Sequence, residues 1–252
     1  MMVEMGSELA EICGIHAGDG YMRLRGKGKG EVDISGHLEE KEYYDNHVVL
    51  LFNKVFGLEI KGRTFSRGSY GFISYYKQLR ETLMKLGFPS GEKSDIVSVP
   101  KLILESNNKE FFSRFLRGWF DTDGNLYFSR RISGHYGDFK KKYHYYPVIQ
   151  IATVSEKLSR DVSLMLNELS IKHFIFSYQP KDIRDKRKYV ITINGVDRLE
   201  KWMRFIGIKN PVKYTRYLIW KKFGFCPPHT TLEQRKDILN GKLDIYSVIK
   251  GL

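Results

Sequence analysis

Cysteine is scarce in this 252-residue chain: only Cys13 and Cys226 are present. That excludes a disulfide framework and any cysteine-paired zinc site. Cys13 reads as a small packing residue rather than a nucleophile. Long apolar runs are missing too, none approaching the roughly 18 residues that a membrane span needs, so no membrane partner is expected. The seven histidines are scattered and offer no zinc spacing of the HNH kind. The glycine-rich stretch GKGKG (Gly26–Gly30) lacks the Gly-Lys-Ser/Thr ending of a phosphate-binding P-loop, which leaves a hairpin turn as its reading. Acid is in deficit, with 29 Asp and Glu against 42 Lys and Arg, a net charge of +13 with histidines neutral. Cationic surface raises encounter rates with phosphates, so the expected partner is a nucleic acid. The opening residues MMVEMGSELAEICG show no basic leader before an apolar stretch. The expectation is a cytoplasmic protein, nucleoid-associated in a prokaryote. What the chain does have is 42% hydrophobic and 14% aromatic residues, ample for a packed core.

An internal repeat organises the chain. Aligning Gly14 with Gly118 places Asp19 on Asp123 and Gly20 on Gly124, a constant offset of 104 residues. Each copy reads as a helix ending in Asp-Gly, then two alternating strands, a helix, two more strands and a closing helix. In the first half the second helix spans Glu39 to Val55, with Tyr44, Val48, Leu51 and Val55 at spacings of three and four. In the second half Ser155 is the expected N-cap of a helix over Glu156–Leu169. The resulting fold class is α+β: two pseudo-symmetric αββαββα subdomains, each with an antiparallel sheet, at 1–88 and 108–252, joined by a linker at 89–107. The tail adds a helix near Lys213–Phe223, the break CPPHTT, and a short helix at Leu232–Leu239 with a capping box from Thr231 to Gln234.

Ala10, Gly14 and Gly18 recur every fourth position, and Gly118 and Thr122 repeat the stripe. Small residues at that spacing let two helix backbones approach closely. Packed in parallel, the two helices bring Asp19 and Asp123 together at the base of one cleft. Two carboxylates so close repel each other, and either a raised pKa or a bound divalent cation relieves them. Gly20 and Gly124 are expected to turn each helix sharply into its strand.

The segments ICGIHAGDG (Ile12–Gly20) and LRGWFDTDG (Leu116–Gly124) resemble the paired motifs of the LAGLIDADG homing endonucleases in their single-chain, two-motif form. In the second, Leu116, Gly118, Asp121, Asp123 and Gly124 all fit. In the first, Gly14, Asp19 and Gly20 are kept, while His16 and Ala17 depart from the pattern. The resemblance implies a monomeric double-strand DNA endonuclease whose two sheets form a saddle on the DNA around a central two-helix interface. It implies cleavage across the minor groove with Mg2+, leaving short 3′ overhangs, with Mn2+ or Ca2+ able to substitute in binding. Asp19 and Asp123 would hold metal, helped by the carbonyls of Gly18 and Thr122. A basic residue is implied beside each scissile phosphate, matched by Lys93 in the first half and by Lys213, with Lys209 as the alternative, in the second. Gly36-His37 and Thr153 stand where the family carries Gln or Asn. An RNA-binding intron maturase, with intron RNA as partner, or a non-catalytic DNA-binding protein are the alternatives on the same scaffold.

Strand alternation supplies the DNA contacts. Met22 and Leu24 are expected inward, with Tyr21, Arg23 and Arg25 outward. Leu126 and Phe128 are expected inward, with Asn125, Tyr127 and Ser129 outward. Leu58 and Ile60 alternate with Glu59, Lys61 and Arg63. Arginine on such a ribbon can bridge guanine O6 and N7 in the major groove. The loop and cluster residues Lys27, Lys29, Arg67, Arg130, Lys140, Lys141, Arg184, Lys186 and Lys188 are expected on phosphates, where they add affinity without sequence information.

Overall fold

The computed structural model describes residues 4–26, 29–130, 143–182 and 184–249, together with the backbone but not the side chain of Arg67. Of the expected DNA contacts, Lys27, Lys140 and Lys141 therefore lie outside the described residues, as does the side chain of Arg67.

The first motif forms helix α1 (Ser7–Asp19), which runs directly into strand β1 (Gly20–Arg25). Strand β2 (Lys29–His37) runs antiparallel beside it, with Arg25 paired to Lys29 and Gly20 to Ile34. An irregular helix α2 (residues 38–56) follows, then β3 (Arg63–Thr64), β4 (Ser69–Ser74) and α3 (Lys77–Lys85). The sheet order is β1-β2-β4-β3, antiparallel throughout. The linker contributes one short helix, α4 (Lys101–Leu104). The second half repeats the order with α5 (Lys109–Asp123), β5 (Gly124–Ser129), β6 (Tyr146–Thr153), α6 (Glu156–Glu168), β7 (Phe174–Tyr178), β8 (Lys188–Asn194) and α7 (Val196–Phe205). Its sheet order, β5-β6-β8-β7, is the same. The tail forms α8 (Pro211–Phe223), α9 (Leu232–Leu239) and α10 (Ile245–Ile249).

Both capping expectations match the structure. Ser155 Oγ accepts from the Leu158 N–H at 3.1 Å, and Thr231 and Gln234 close a reciprocal box at the start of α9. Gly20 and Gly124 carry each motif helix directly into its strand as expected, at φ of −82° and −80°, ordinary extended backbone rather than a left-handed turn. Glycine is required there by space instead: a Cβ on Gly20 would sit 2.1 Å from His16 Nδ1, and one on Gly124 2.2 Å from the Phe120 ring. Two local expectations fail. Residues 58–62 form no strand, because pairing to β4 begins only at Arg63; exposed Lys61 thus lies outside the sheet. Leu24 is 44% exposed rather than inward, since the β1–β2 pair extends past the helices that cover Met22.

In α2 the backbone widens to a π-turn at Tyr44–Val48. The extra residue resets the helical phase, so Tyr43 and Tyr44 are both fully buried, and Val49 and Phe52 join the expected Val48 and Leu51 inside. Buried apolar side chains from both halves form one connected core around α1 and α5.

Candidate active site

The helix pair is as close as the small residues allow. A Cβ on Gly14 would lie 2.1 Å from the Phe115 carbonyl oxygen, and one on Gly118 would lie 2.3 Å from that of Glu11. At the C-terminal ends, a Cβ on Gly18 would sit 2.1 Å from Thr122 Oγ1 and 3.2 Å from Asp123 Oδ2. The two acidic tips therefore meet where the helices end. Asp19 has its carboxyl pushed up to about 7, first by burial and then by Asp123 and Glu40. Burial also raises Asp123, against the pull of Lys93 and Lys213. Asp123 is nonetheless open to solvent: it is surrounded by protein on the floor of a concave cleft rather than sealed away. A cavity of about 300 Å³ beside it is lined by Gly18, Lys93, Ala152, Thr153 and Lys188.

Each motif helix ends on a lysine. Lys93 Nζ donates to the carbonyls of Ala17 at 2.8 Å and Gly18 at 2.9 Å. Lys213 Nζ donates to those of Phe120 at 3.1 Å, Thr122 at 2.8 Å, and Asp121. An ammonium at a helix C-terminus meets unsatisfied carbonyls and the negative end of the dipole. The Gly18 and Thr122 carbonyls assigned to metal from sequence are thus engaged by lysine ammonium groups. Lys209 is not at this point; its backbone N–H donates to Asp121 Oδ2 at 2.9 Å.

The linker and α8 deliver these lysines by the same device. The linker runs along the free edge of β1, where Gly91 N–H donates to Met22 O at 2.8 Å and Ser90 Oγ accepts from Leu24 N–H at 3.0 Å. Helix α8 lies along the edge of β5, where Arg216 donates to Asn125 Oδ1 at 2.9 Å and Leu126 O at 3.0 Å. Asn210 caps α8, its Oδ1 accepting from Val212 N–H at 3.0 Å.

Three residues at the site escaped sequence reasoning. Tyr44 donates from its hydroxyl to Asp19 Oδ2 at 2.5 Å, from the first residue of the π-turn. Glu40 comes close to Asp19: its Oε2, Asp19 Oδ2 and the Tyr44 hydroxyl all lie within 2.9 Å of the point where a Gly36 Cβ would stand. Asn210 Nδ2 bridges the halves, donating to Glu40 Oε1 at 2.6 Å and Asp121 O at 2.8 Å. The Asn210-Pro211 pair, a cap followed by proline at the first helical position, was the available signal for the last. Gly36 and His37 contribute space and a cap rather than a side chain at the carboxylates: His37 Nδ1 accepts from Glu39 N–H. Among the described residues, no three His, Cys, Asp or Glu side chains form a ready-made metal cluster.

On the sheet faces turned away from the helices, β1 presents exposed Tyr21, Arg23 and Arg25, and β3 presents Arg63. Lys29 stands opposite Arg25 on β2 rather than in a loop. On β5, Asn125 is exposed, while Tyr127 and Ser129 are half-buried; Arg130 is exposed just beyond. Lys188 opens β8. Arg184 and Lys186 lie in the β7–β8 connection, paired with Asp182 at 2.6 Å and with Asp95 of the linker at 2.9 Å.

This architecture, two αββαββα units around a parallel pair of Asp-ended helices, defines a class: the single-chain, two-motif LAGLIDADG fold. Residues 110–207 match the family model of the LAGLIDADG-like domain. Among solved structures, a variant of the homing endonuclease I-DmoI is 16% identical, with 80% of this chain and 95% of that one covered and a TM-score of 0.53. The K262A mutant of I-SmaMI is 14% identical, with 98% and 99% covered and a TM-score of 0.53. No curated protein matches the chain by sequence. Residues 110–207 thus form a LAGLIDADG-like domain, and the chain as a whole has the two-motif fold of these homing endonuclease structures.

Proposed function

We propose that this protein is a site-specific double-strand DNA endonuclease that works with a divalent cation, Mg2+ in the cell, and leaves short 3′ overhangs. The observation that carries this reading is the meeting of Asp19 and Asp123 at the lysine-capped ends of two abutting helices. The relatives support it: I-DmoI has been crystallised with DNA and Mn, and I-SmaMI, called a meganuclease, bound to uncleavable DNA.

The donor set fits such an ion. Two carboxylates whose proton affinity is raised by burial, with Asp123 adding repulsion at Asp19 and Glu40 at both, would be stabilised by a nearby positive charge. Mg2+ takes hard oxygen ligands from one or two carboxylates and keeps water and phosphate for the rest. When bound, it polarises the phosphate and activates water. The chain's own groups do the remainder. Tyr44 fixes one oxygen of Asp19 through its hydroxyl and leaves the other free of that bond. Lys93 and Lys213, anchored on helix carbonyls, hold positive charge where the phosphate's charge builds up. Tyr21, Arg23, Arg25, Lys29, Arg63, Asn125, Tyr127 and Ser129 face the duplex as a single chain straddles it, with Arg130, Arg184, Lys186 and Lys188 on phosphates.

The test is cleavage of a randomised duplex library in Mg2+. Asp19→Asn and Asp123→Asn should abolish cutting while keeping DNA binding in Ca2+. Lys93→Met and Lys213→Met should each slow it by about 10²–10³-fold, the size of losing one electrostatic stabiliser. Cutting by the aspartate variants at the wild-type rate, or RNA binding with no DNA cut at any site, would sink the proposal.

A further inference from the structure

The open faces of the two sheets differ in chemistry although their topology is the same. In the first sheet the residues sharing that face include Tyr21, Arg23 and Arg25 on β1, and Lys29, Glu31 and Asp33 on β2, with Arg63 across β4. In the second, the row of partners Asn125, Gln150, Thr192 and Phe174 crosses all four strands, and Ala152, Val190 and Phe176 form the next row. Val148 and Val190 lie outside the core cluster that holds Ile149, Ile151, Ile191 and Ile193, which places them on this outer face. Lys188, at the corner beside Asp123, is the one charged residue among the described strand positions of that face. Its outer strand carries three aromatics at alternate positions: Phe174, Phe176 and Tyr178 are 50%, 49% and 45% exposed. The Phe176 and Tyr178 rings stack at 6.4 Å, and Arg198 lies over Phe174 at 5.5 Å.

Exposed large apolar side chains in a row are uncommon on a soluble surface and mark a contact site. Here the row is continuous with the face that the endonuclease reading turns toward DNA, and cationic groups border it. In the major groove the C5-methyl of thymine is the apolar feature of a base edge, whereas guanine and cytosine offer groups for Arg, Lys and carboxylates.

The geometry points to a split specificity: Phe174, Phe176 and Tyr178 read thymine methyl groups in one half of the target, and the charged first sheet reads G·C pairs in the other. This rests on the endonuclease reading above. The half-site under the second sheet is therefore rich in A·T pairs recognised through apolar contact. Discrimination in the other half comes from Arg23, Arg25 and Lys29 toward guanine, and from Glu31 and Asp33 toward the cytosine amino group.

The experiment selects bound duplexes from a randomised library in Ca2+, for wild type and for the exposed-site variants Phe176→Ser and Tyr178→Ser. Positions whose base preference changes in the variants mark the half-site under the second sheet. Thymines there are then replaced by deoxyuridine, which removes only the methyl. The expected loss is about fourfold in affinity per buried methyl, absent in the serine variants and absent for the same replacement in the other half. Full affinity for the deoxyuridine duplex, with cleavage intact, overturns the inference and leaves the endonuclease reading standing. Failure to retain or cut any duplex removes that reading instead. Concentration-dependent dimerisation abolished by Phe176→Ser would assign the aromatic row to self-association and also overturn it.

Discussion

Replacing Gly14 by alanine sets two effects of opposite sign against each other. Gly14 lies in the interior of α1, where alanine favours the helix by about 1 kcal/mol over glycine. Against that, the new methyl would lie 2.1 Å from the Phe115 carbonyl oxygen and 2.9 Å from the Trp119 nitrogen, where ordinary contact begins at 3.4 Å. The helices must then separate by the difference between 3.4 and 2.1 Å, about 1.3 Å. The obstructing atoms are backbone on the opposite helix, so no side chain can swing aside. Overpacking of this kind costs about 1–3 kcal/mol, and the upper end applies when the obstacle is rigid. The clash wins, leaving a net loss of about 2 kcal/mol.

Gly118→Ala meets the Glu11 carbonyl oxygen at 2.3 Å and should behave alike. Because both substitutions open the same gap, the double variant should lose less than the sum of the two. Gly6→Ala is the control: nothing lies within 4 Å and φ is −135°, so it should lose only the roughly 0.5–1 kcal/mol that alanine costs relative to glycine at a helix N-cap. Urea unfolding reads the result as a lowered midpoint at unchanged slope. Cleavage should fall in the same variants, because the gap separates Asp19 from Asp123. A Gly14→Ala protein as stable as the Gly6→Ala control would refute the close-contact argument.

Acid stability should depend on Glu11, which is fully buried between the motif helices and accepts from His47, Arg114 and Arg117. Burial opposes its charge, but those partners outweigh it and hold the carboxyl at about 2, below its ordinary 4.5. A lowered pKa contributes stability above the ordinary value, here about 3 kcal/mol, lost as pH falls from 4.5 toward 2. Glu11→Gln should flatten that part of the pH–stability curve in thermal unfolding. Arg235, fully buried in the tail, donates to Thr215 Oγ1 at 2.9 Å, Val212 O at 3.0 Å and Thr230 O. Arg235→Ala strands those acceptors and should cost about 3 kcal/mol in urea unfolding; a loss below about 0.5 kcal/mol would show that the tail is not anchored through it.

The motif helices and both sheets were legible because their signals are local. The fourfold spacing of Gly14 and Gly18, the strand alternation around Met22 and Leu126, and the caps at Ser155 and Thr231 each need only a few neighbouring residues. What stayed hidden depends on distant partners. Glu40 and Asn210 are 170 residues apart, and nothing local in HLEEKEYY marks one glutamate among three as the one that faces Asp19. Tyr44 reaches its aspartate from a π-turn, which no apolar spacing announces. The tail's place was equally hidden: Lys236 pairs with Glu42, 194 residues away. Leu24 failed for the reverse reason, since alternation says which way a side chain points but not whether anything covers it.

The lysine caps show why the two halves act as one unit. Lys93 reaches the end of the first helix, yet the segment that carries it is fastened to the second half. Val97 O accepts from Ser155 Oγ at 2.6 Å, and Val99 N–H donates to Asp161 Oδ2 at 3.1 Å. Lys213 caps the second helix while lying 3.7 Å from Glu40 of the first half, beside the Asn210–Glu40 bond. Each cap is thus positioned partly by the opposite repeat. Together with the backbone contact at Gly14 and Gly118, this leaves neither repeat with an intact site or a closed core alone. Through these cross-ties the two similar repeats form a single site with two unequal halves.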